Sequence, residues 1–332
     1  MNCSNRFGQK VLLGLSSLTM RILITGGFGF IGGRLAVYLG SLGHDIVLSS
    51  REKFNPPSWL PKAVVTKVSW ESDQELEKCC KGIEVVIHAA GMNAQDCALD
   101  PVAAISFNGV ATSRLVSAAS KMAVKRFIYL STAHVYMNPL VGVITEDTCP
   151  RNMHPYATSN LAGEYSILGA RQRCEIEGVV LRLSNVFGAP THRNVNCWML
   201  LVNDLCRQAV TTRNMVLLTN GQHQRDFIGM SQVCRVIEKF VFPQQAFRQI
   251  EIANIGSGVS QPVLDMAILV QQRCREVLGF EPLIERPIGA SDESQPNLQY
   301  QSEVLPRLDV GSESQVSTTD IDELLRFCQS SF

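Results

Sequence analysis

The stretch Met20–Gly33, MRILITGGFGFIGG, constrains this chain more than any other. Ile22-Leu23-Ile24 is a short apolar run that reads as a buried strand. Gly26, Gly29 and Gly32 then punctuate a turn, and Arg34-Leu35-Ala36-Val37-Tyr38-Leu39 continues with helical periodicity. Strand, glycine turn and helix in this order form the first unit of a dinucleotide-binding fold. Gly26 lets the chain turn tightly, Gly29 clears space for a pyrophosphate, and Gly32 lets the helix sit close on the strand. Phe28, Phe30 and Ile31 lie between these glycines and belong to the same predicted cofactor surface. The helix N-terminus adds free N–H groups and a positive dipole end.

A second strand, Asp45–Ser49, runs into Ser49-Ser50-Arg51 with Lys53 close behind. An acidic residue here would hold the adenosine ribose 2′-hydroxyl. Ser50 and Arg51 instead suit a 2′-phosphate, so NADP(H) is the expected cofactor and NAD(H) the other option. Ala63–Val68 reads as the third strand and Glu84–His88 as the fourth. The fourth ends in Ala89-Ala90-Gly91, small residues where the middle of a cofactor would lie. Asp100-Pro101 starts a long helix to about Met122. Asn108 lies inside it and is an expected cofactor-surface residue, either bracing a neighbouring strand end or, alternatively, facing solvent. Lys125–Leu130 is the fifth strand and ends in Ser131-Thr132. Tyr156–Arg173 is helical and Gly178–Leu183 is the sixth strand.

This alternation predicts an α/β protein with a Rossmann-type, doubly wound parallel sheet. From Ala189 the pattern becomes irregular, which predicts a smaller C-terminal α+β substrate-binding lid. The expected division is a loose extension over 1–19 and a dinucleotide-binding domain over 20–188, with a segment returning near 227–256. A substrate-binding subdomain would take 189–226 and 257–332.

Composition narrows the function classes. Of 332 residues, 45% are hydrophobic and 18% charged, as in a globular chain. Thirty basic residues balance thirty acidic ones, so no bulk attraction to nucleic acid or anionic membrane is expected. No apolar run approaches the roughly 20 residues that span a bilayer. Eleven cysteines without a C-x-x-C pair, and six histidines without ligand spacing, predict reduced thiols, a cytoplasmic location and no metal.

Several short motifs together resemble the extended short-chain dehydrogenase/reductase family, in its nucleotide-sugar epimerase/dehydratase branch. They are Thr25-Gly26-x-x-Gly29-x-x-Gly32, His88-Ala89-Ala90-Gly91, Asp100-Pro101, Asn108 and Leu130-Ser131-Thr132-Ala133-x-Val135-Tyr136. Pro155-Tyr156-Ala157-x-Ser159, Leu161-Ala162-Gly163-Glu164 and Arg182-Leu183-Ser184-Asn185-Val186-Phe187-Gly188 continue the series. Arg225-Asp226-Phe227-Ile228, Asn254-Ile255-Gly256 and Leu308-Asp309-Val310 complete it. The resemblance implies Tyr156 as acid/base and Thr132 as its hydrogen-bonding partner on the substrate oxygen. It implies Asn185 and Arg225, and less directly Arg286, as holders of a nucleotide diphosphate. It also implies a homodimer paired through the helices near 101–122 and 156–173.

One departure bears on the chemistry. The family motif is Tyr-x-x-x-Lys, whose two residues share a helical face; here it reads Tyr156-Ala157-Thr158-Ser159-Asn160. A cation ~4 Å from the phenol at an effective dielectric of ~20 is worth ~4 kcal/mol, or ~3 pKa units. Asn160 can still hydrogen-bond a ribose but cannot supply that field. A largely protonated Tyr156 is therefore expected, with proton abstraction slowed ~10²–10³-fold. His134, two residues beyond Thr132, is either a spare base on the substrate side or a packed or solvent-facing side chain. The leading expectation is an NADP(H)- or NAD(H)-dependent epimerase, dehydratase or ketoreductase acting on a nucleotide-activated sugar. A catalytically impaired cofactor-binding regulator or subunit is the alternative, and an NADPH-dependent reductase of another carbonyl substrate is a third.

Overall fold

The computed structural model describes residues 19–52, 55–243, 245–287, 297–305 and 316–332. The expectations placed on residues 1–18, Lys53 and Leu308-Asp309-Val310 lie outside them. Seven strands form the central sheet. They are β1 (Arg21–Thr25), β2 (Asp45–Ser50), β3 (Val64–Lys67), β4 (Val85–His88), β5 (Arg126–Thr132), β6 (Glu177–Leu183) and β7 (Ile252–Ile255). Their order is β7-β6-β5-β4-β1-β2-β3, and every neighbouring pair is parallel. The order reverses between β1 and β4, and a crevice opens there at the carboxyl ends of the strands.

Side chains alternate across the sheet because successive residues of a strand face opposite ways. Ile22 and Ile24 pack with Leu35, Leu39 and Phe240 on one face. Leu23 packs with Val86, Leu115, Phe127 and Val180 on the other. Both layers are apolar, as a sheet covered by helices on two sides requires. His88 is buried in the second layer between the hydroxyls of Thr25 (2.5 Å) and Thr112 (2.9 Å), stacked on Tyr129. Burial pushes its imidazole down to about 3, so it stays neutral.

The helix beginning at Pro101 departs from the expected regular form. Asp100 caps it by accepting the Ala103 N–H at 2.8 Å. Residues Ile105–Ala111 then widen into π-helix before α-helix resumes over Thr112–Lys121. Asn108 sits in the widened turn, where π geometry re-aims a side chain. A short helix, Ala94–Leu99, also precedes it. Beyond β6, Gln224–Gly229 pairs parallel with Asn185–Phe187 and antiparallel with Ser260–Pro262 in a three-stranded sheet. Ile252–Ile255 then rejoins the main sheet beside β6.

The last helix, Thr318–Ser331, packs on helices Leu201–Thr212 and Val263–Leu278 through Ile321, Leu324, Leu325 and Cys328. Its Asp320 accepts the Ser231 N–H at 3.1 Å and the Ser231 hydroxyl, capping helix Met230–Val241 from outside. Nine described cysteines are free thiols, but Cys174 is disulfide-bonded, so the expectation of uniformly reduced thiols fails there. Cys174 follows the Pro155–Gln172 helix in a left-handed turn and is half-exposed. No described helix is long and apolar enough to cross a membrane.

A buried ion pair ties the layers together. Arg182 of β6 donates to both carboxylate oxygens of Glu164 in helix Pro155–Gln172, at 2.6–3.2 Å, and Glu164 is 0% exposed. The Ser131 hydroxyl donates to the same carboxylate, and the Arg182 guanidinium lies 4.8 Å from the Tyr136 ring centroid. Removing one member of such a pair leaves an uncompensated buried charge and costs ~3–5 kcal/mol. Glu164→Ala is therefore expected to lose about that much stability in urea unfolding, without a change in the slope of the transition.

Candidate active site

The cleft at the strand ends has a volume of about 1620 Å³. Its cofactor-side wall begins at the glycine turn. Gly26 adopts φ +67°, a left-handed conformation, and a Cβ there would lie 2.7 Å from the Ala89 and Ala90 backbone. A Cβ on Gly32 would collide with the Gly26 carbonyl oxygen, so the helix can sit this close only without a side chain. The Gly29 N–H closes the turn onto the Gly26 carbonyl at 2.8 Å. No side chain caps helix Phe30–Ser41, which leaves its first N–H groups to an anion in the cleft. Phe28, Gly29, Phe30, Ile31, Ser50, Arg51, Ala89, Ala90 and Gly91 line the same space. This surface fits a dinucleotide: an uncapped helix start for the pyrophosphate, small residues beneath its middle, and Ser50 and Arg51 at the adenosine end.

Tyr156 and Thr132 meet on the floor of the cleft. Tyr156 enters from the first turn of helix Pro155–Gln172, whose Pro155 pre-sets the helical φ. His154 caps this turn through its Nδ1, which accepts the Tyr156 N–H at 3.1 Å. Thr132 ends β5, and its hydroxyl hydrogen-bonds the phenol. Burial raises the phenol above its ordinary value, the Thr132 hydrogen bond opposes this, and the Cys97 thiol raises it further. No cation among the described residues lowers it.

Asn160 lines the cleft, yet its carboxamide is engaged on both sides. Its Nδ2 donates to the Tyr156 carbonyl at 2.7 Å, and its Oδ1 accepts the Tyr129 hydroxyl at 3.1 Å. It therefore presents at most one N–H to a ribose. Tyr129 escapes a reading of the sequence because it sits one residue off the motif. Its place beneath Asn160 follows from β5 running under the helix.

On the far wall, Arg225 projects from strand Gln224–Gly229 with no ion-pair partner among the described residues. The neighbouring Asp226 fixes that strand: its carboxylate accepts from the Ser184 hydroxyl (2.5 Å), the Ser257 N–H and hydroxyl (2.9 Å each) and the Gly258 N–H (2.9 Å). Asn185 lines the cleft beside Arg225 and donates to the Asp226 carbonyl at 2.8 Å. His134 lines it too.

Two predicted residues are not brought to the cleft lining. Asn108 is buried and spends its side chain internally: Oδ1 accepts the Met92 N–H at 2.8 Å and Nδ2 donates to the Ser159 hydroxyl at 3.0 Å. It braces the segment after β4 against the Tyr156 helix. Arg286 is exposed at the end of strand Leu283–Glu285 and donates to the Asn220 carbonyl at 3.1 Å. Glu52, Trp70, Phe107 and Arg114 line the adenosine end although no motif points to them, and Asn196, Met199 and Phe227 line the opposite end. Glu52 directly follows Arg51; the others converge only through the sheet order.

The NAD dependent epimerase/dehydratase family model matches residues 22–256. The chain belongs to this family. Among its relatives, mouse dTDP-D-glucose 4,6-dehydratase is 27% identical, over 78% of this chain and 74% of that protein. A putative UDP-glucose 4-epimerase of Methanocaldococcus jannaschii is 25% identical, over 80% of this chain and 86% of that one. The UDP-glucose 4-epimerase of Thermus thermophilus, solved with NAD, superposes with a TM-score of 0.76 at 19% identity, covering 94% and 100% of the two chains. MoeE5, solved with UDP-glucose and NAD, gives 0.74 at 23% identity, covering 94% and 99%. At these identities the structural likeness speaks to the fold, a parallel sheet flanked by helices.

For this member of the family, the phenol's surroundings fix its charge. Burial without a cation keeps Tyr156 protonated at neutral pH. Its phenolate absorbance, taken as the difference from Tyr156→Phe, is expected only above about pH 10. In Asn160→Lys it should appear at a pH lower by about 3 units.

Proposed function

We propose that the chain is a hydride-transfer enzyme acting on a nucleotide-activated sugar, as an epimerase, dehydratase or ketoreductase. The supporting observation is the Thr132–Tyr156 hydroxyl pair on the cleft floor, between the glycine turn and the unpaired Arg225. A bound nicotinamide would supply the hydride chemistry. The chain's own residues handle the proton and the substrate. Tyr156 exchanges a proton with the sugar oxygen at its phenol oxygen, and Thr132 orients that oxygen. Arg225 offers a guanidinium to the diphosphate, with Asn185 beside it. The protonated phenol is the acid that carbonyl reduction needs, so reduction is the favoured direction.

The proposed cofactor is NADP(H), on the strength of Ser50 and Arg51 at the end of β2. Glu52 on the same rim is the group that would favour the bare diol of NAD(H). The proposed assembly is a homodimer. Leu99, Val102 and Ile105 recur at three-residue spacing and are exposed, with Tyr165 exposed on the adjoining helix.

A second reading, a cofactor-binding subunit without turnover, draws on Asn160. Assay of the parent with UDP- and dTDP-sugars and their 4-keto forms separates the two. Turnover in the parent that is lost in Tyr156→Phe supports the enzyme. Oxidation accelerated ~10²–10³-fold in Asn160→Lys would fit the missing field. Turnover only in that variant supports the impaired subunit. For the cofactor, fluorescence titration is expected to give tighter NADPH than NADH binding, with Arg51→Ala weakening only NADPH. Equal or tighter NADH binding overturns the preference.

A further inference from the structure

His134 and Arg225 both line the cleft, near enough for the guanidinium charge to act on the ring, and neither side chain has a hydrogen-bond or ion-pair partner among the described residues. The backbone of His134 is held on both sides. Its N–H donates to the Thr132 hydroxyl at 3.1 Å, and its carbonyl accepts from the Asn152 amide at 2.7 Å. The 3₁₀ turn Ala133–Val135 thus fixes the backbone that carries the ring, and neither ring nitrogen is bonded to a described residue. A half-buried imidazole on a fixed backbone, with no partner among the described residues, is poised for something that enters the cleft.

The charged and titratable groups facing the ring are Arg225, from strand Gln224–Gly229, and His154, at the cap of the Tyr156 helix. Neither is a carboxylate. Burial first, then Arg225 and His154, hold the imidazole below the usual histidine range, so it is neutral in the free protein. A diphosphate pairing with Arg225 would reverse that field. It would cancel the guanidinium charge and bring negative oxygens toward the ring.

We propose that His134 takes up a proton from solvent when a nucleotide-sugar diphosphate pairs with Arg225, and that the resulting imidazolium contacts the ligand between Arg225 and Thr132. The inference rests on the nucleotide-sugar reading above. It makes His134 a specificity residue: near neutral pH its charge depends on the diphosphate being in place. The sign follows from linkage. A group whose bound pKa exceeds its free pKa tightens binding as pH falls through the bound value, and the gain levels off below the free value. Each unit of rise is worth up to about tenfold in affinity.

The probe is UDP-glucose, whose diphosphate diester does not titrate near neutrality. Calorimetry from about pH 8.5 to about pH 5.5 is expected to show affinity rising about three- to tenfold in the parent, with buffer-dependent heat reporting proton uptake. His134→Gln should bind at the high-pH affinity throughout. By NMR, the His134 imidazole should titrate at higher pH with UDP-glucose bound than free, and Arg225→Gln should raise its free midpoint. An equal pH slope in His134→Gln, or a His134 resonance that stays still while other cleft resonances move, overturns the proposal. If UDP-glucose moves no resonance at all, the nucleotide-sugar reading fails and this proposal falls with it.

Discussion

Glu164 decides where the Tyr156 and Thr132 hydroxyls meet. It lies two turns beyond Tyr156 on one helix, and its carboxylate receives Arg182 from β6 and the hydroxyl of Ser131 from β5. Ser131 is the residue before Thr132. The helix bearing the phenol and the strand bearing the threonine are thus locked through a single carboxylate. Two charges removed from water are tolerated only with good geometry, and the two-point contact between guanidinium and carboxylate provides it. Tyr136, Tyr300 and Asn254 extend this buried polar region, with Tyr300 donating to the Arg182 carbonyl and Tyr136 to Asn254. The cleft floor is rigid because a hydrogen-bonded layer lies directly behind it.

Much of this architecture is legible in the residues themselves. Apolar runs such as Ile22-Leu23-Ile24 and Val85-Val86-Ile87 can only be buried strands, and Gly26 and Gly32 stand where the backbone leaves no room for a Cβ. The widened turn at Ile105–Ala111 is not legible, since π and α geometry use the same residue types. The motif position of Asn108 points to the cofactor surface; in the fold its amide is consumed by Met92 and Ser159. Arg286 offers only its charge, and charge does not say which way a loop turns. Trp70 reaches the cleft from just beyond β3, whereas Phe107 and Arg114 come from the helical stretch between β4 and β5, a convergence that local spacing does not encode.

Asn160, where the family motif has lysine, is tied into the fold by hydrogen bonds. A shorter, neutral side chain bonds its own helix and Tyr129, so its polar atoms are engaged while the electrostatics differ. The geometry of acid/base transfer and the field that would drive deprotonation are separate properties here. A protein can keep the first and shed the second, and a phenol raised by burial with no cation beside it holds its proton more tightly than a free one.

The carboxylate of Asp320 has a consequence for the order of events during synthesis. It caps Met230–Val241, the helix that directly follows the Arg225 strand, across 89 residues of sequence. Contacts so distant along the chain are closed late and slowly. While the nascent polypeptide is still tethered at the ribosome, the glycine turn and β1 to β6 can pair, but this helix lacks its anion. The wall that carries Arg225 gains this cap only once helix Thr318–Ser331 has been made and folded back.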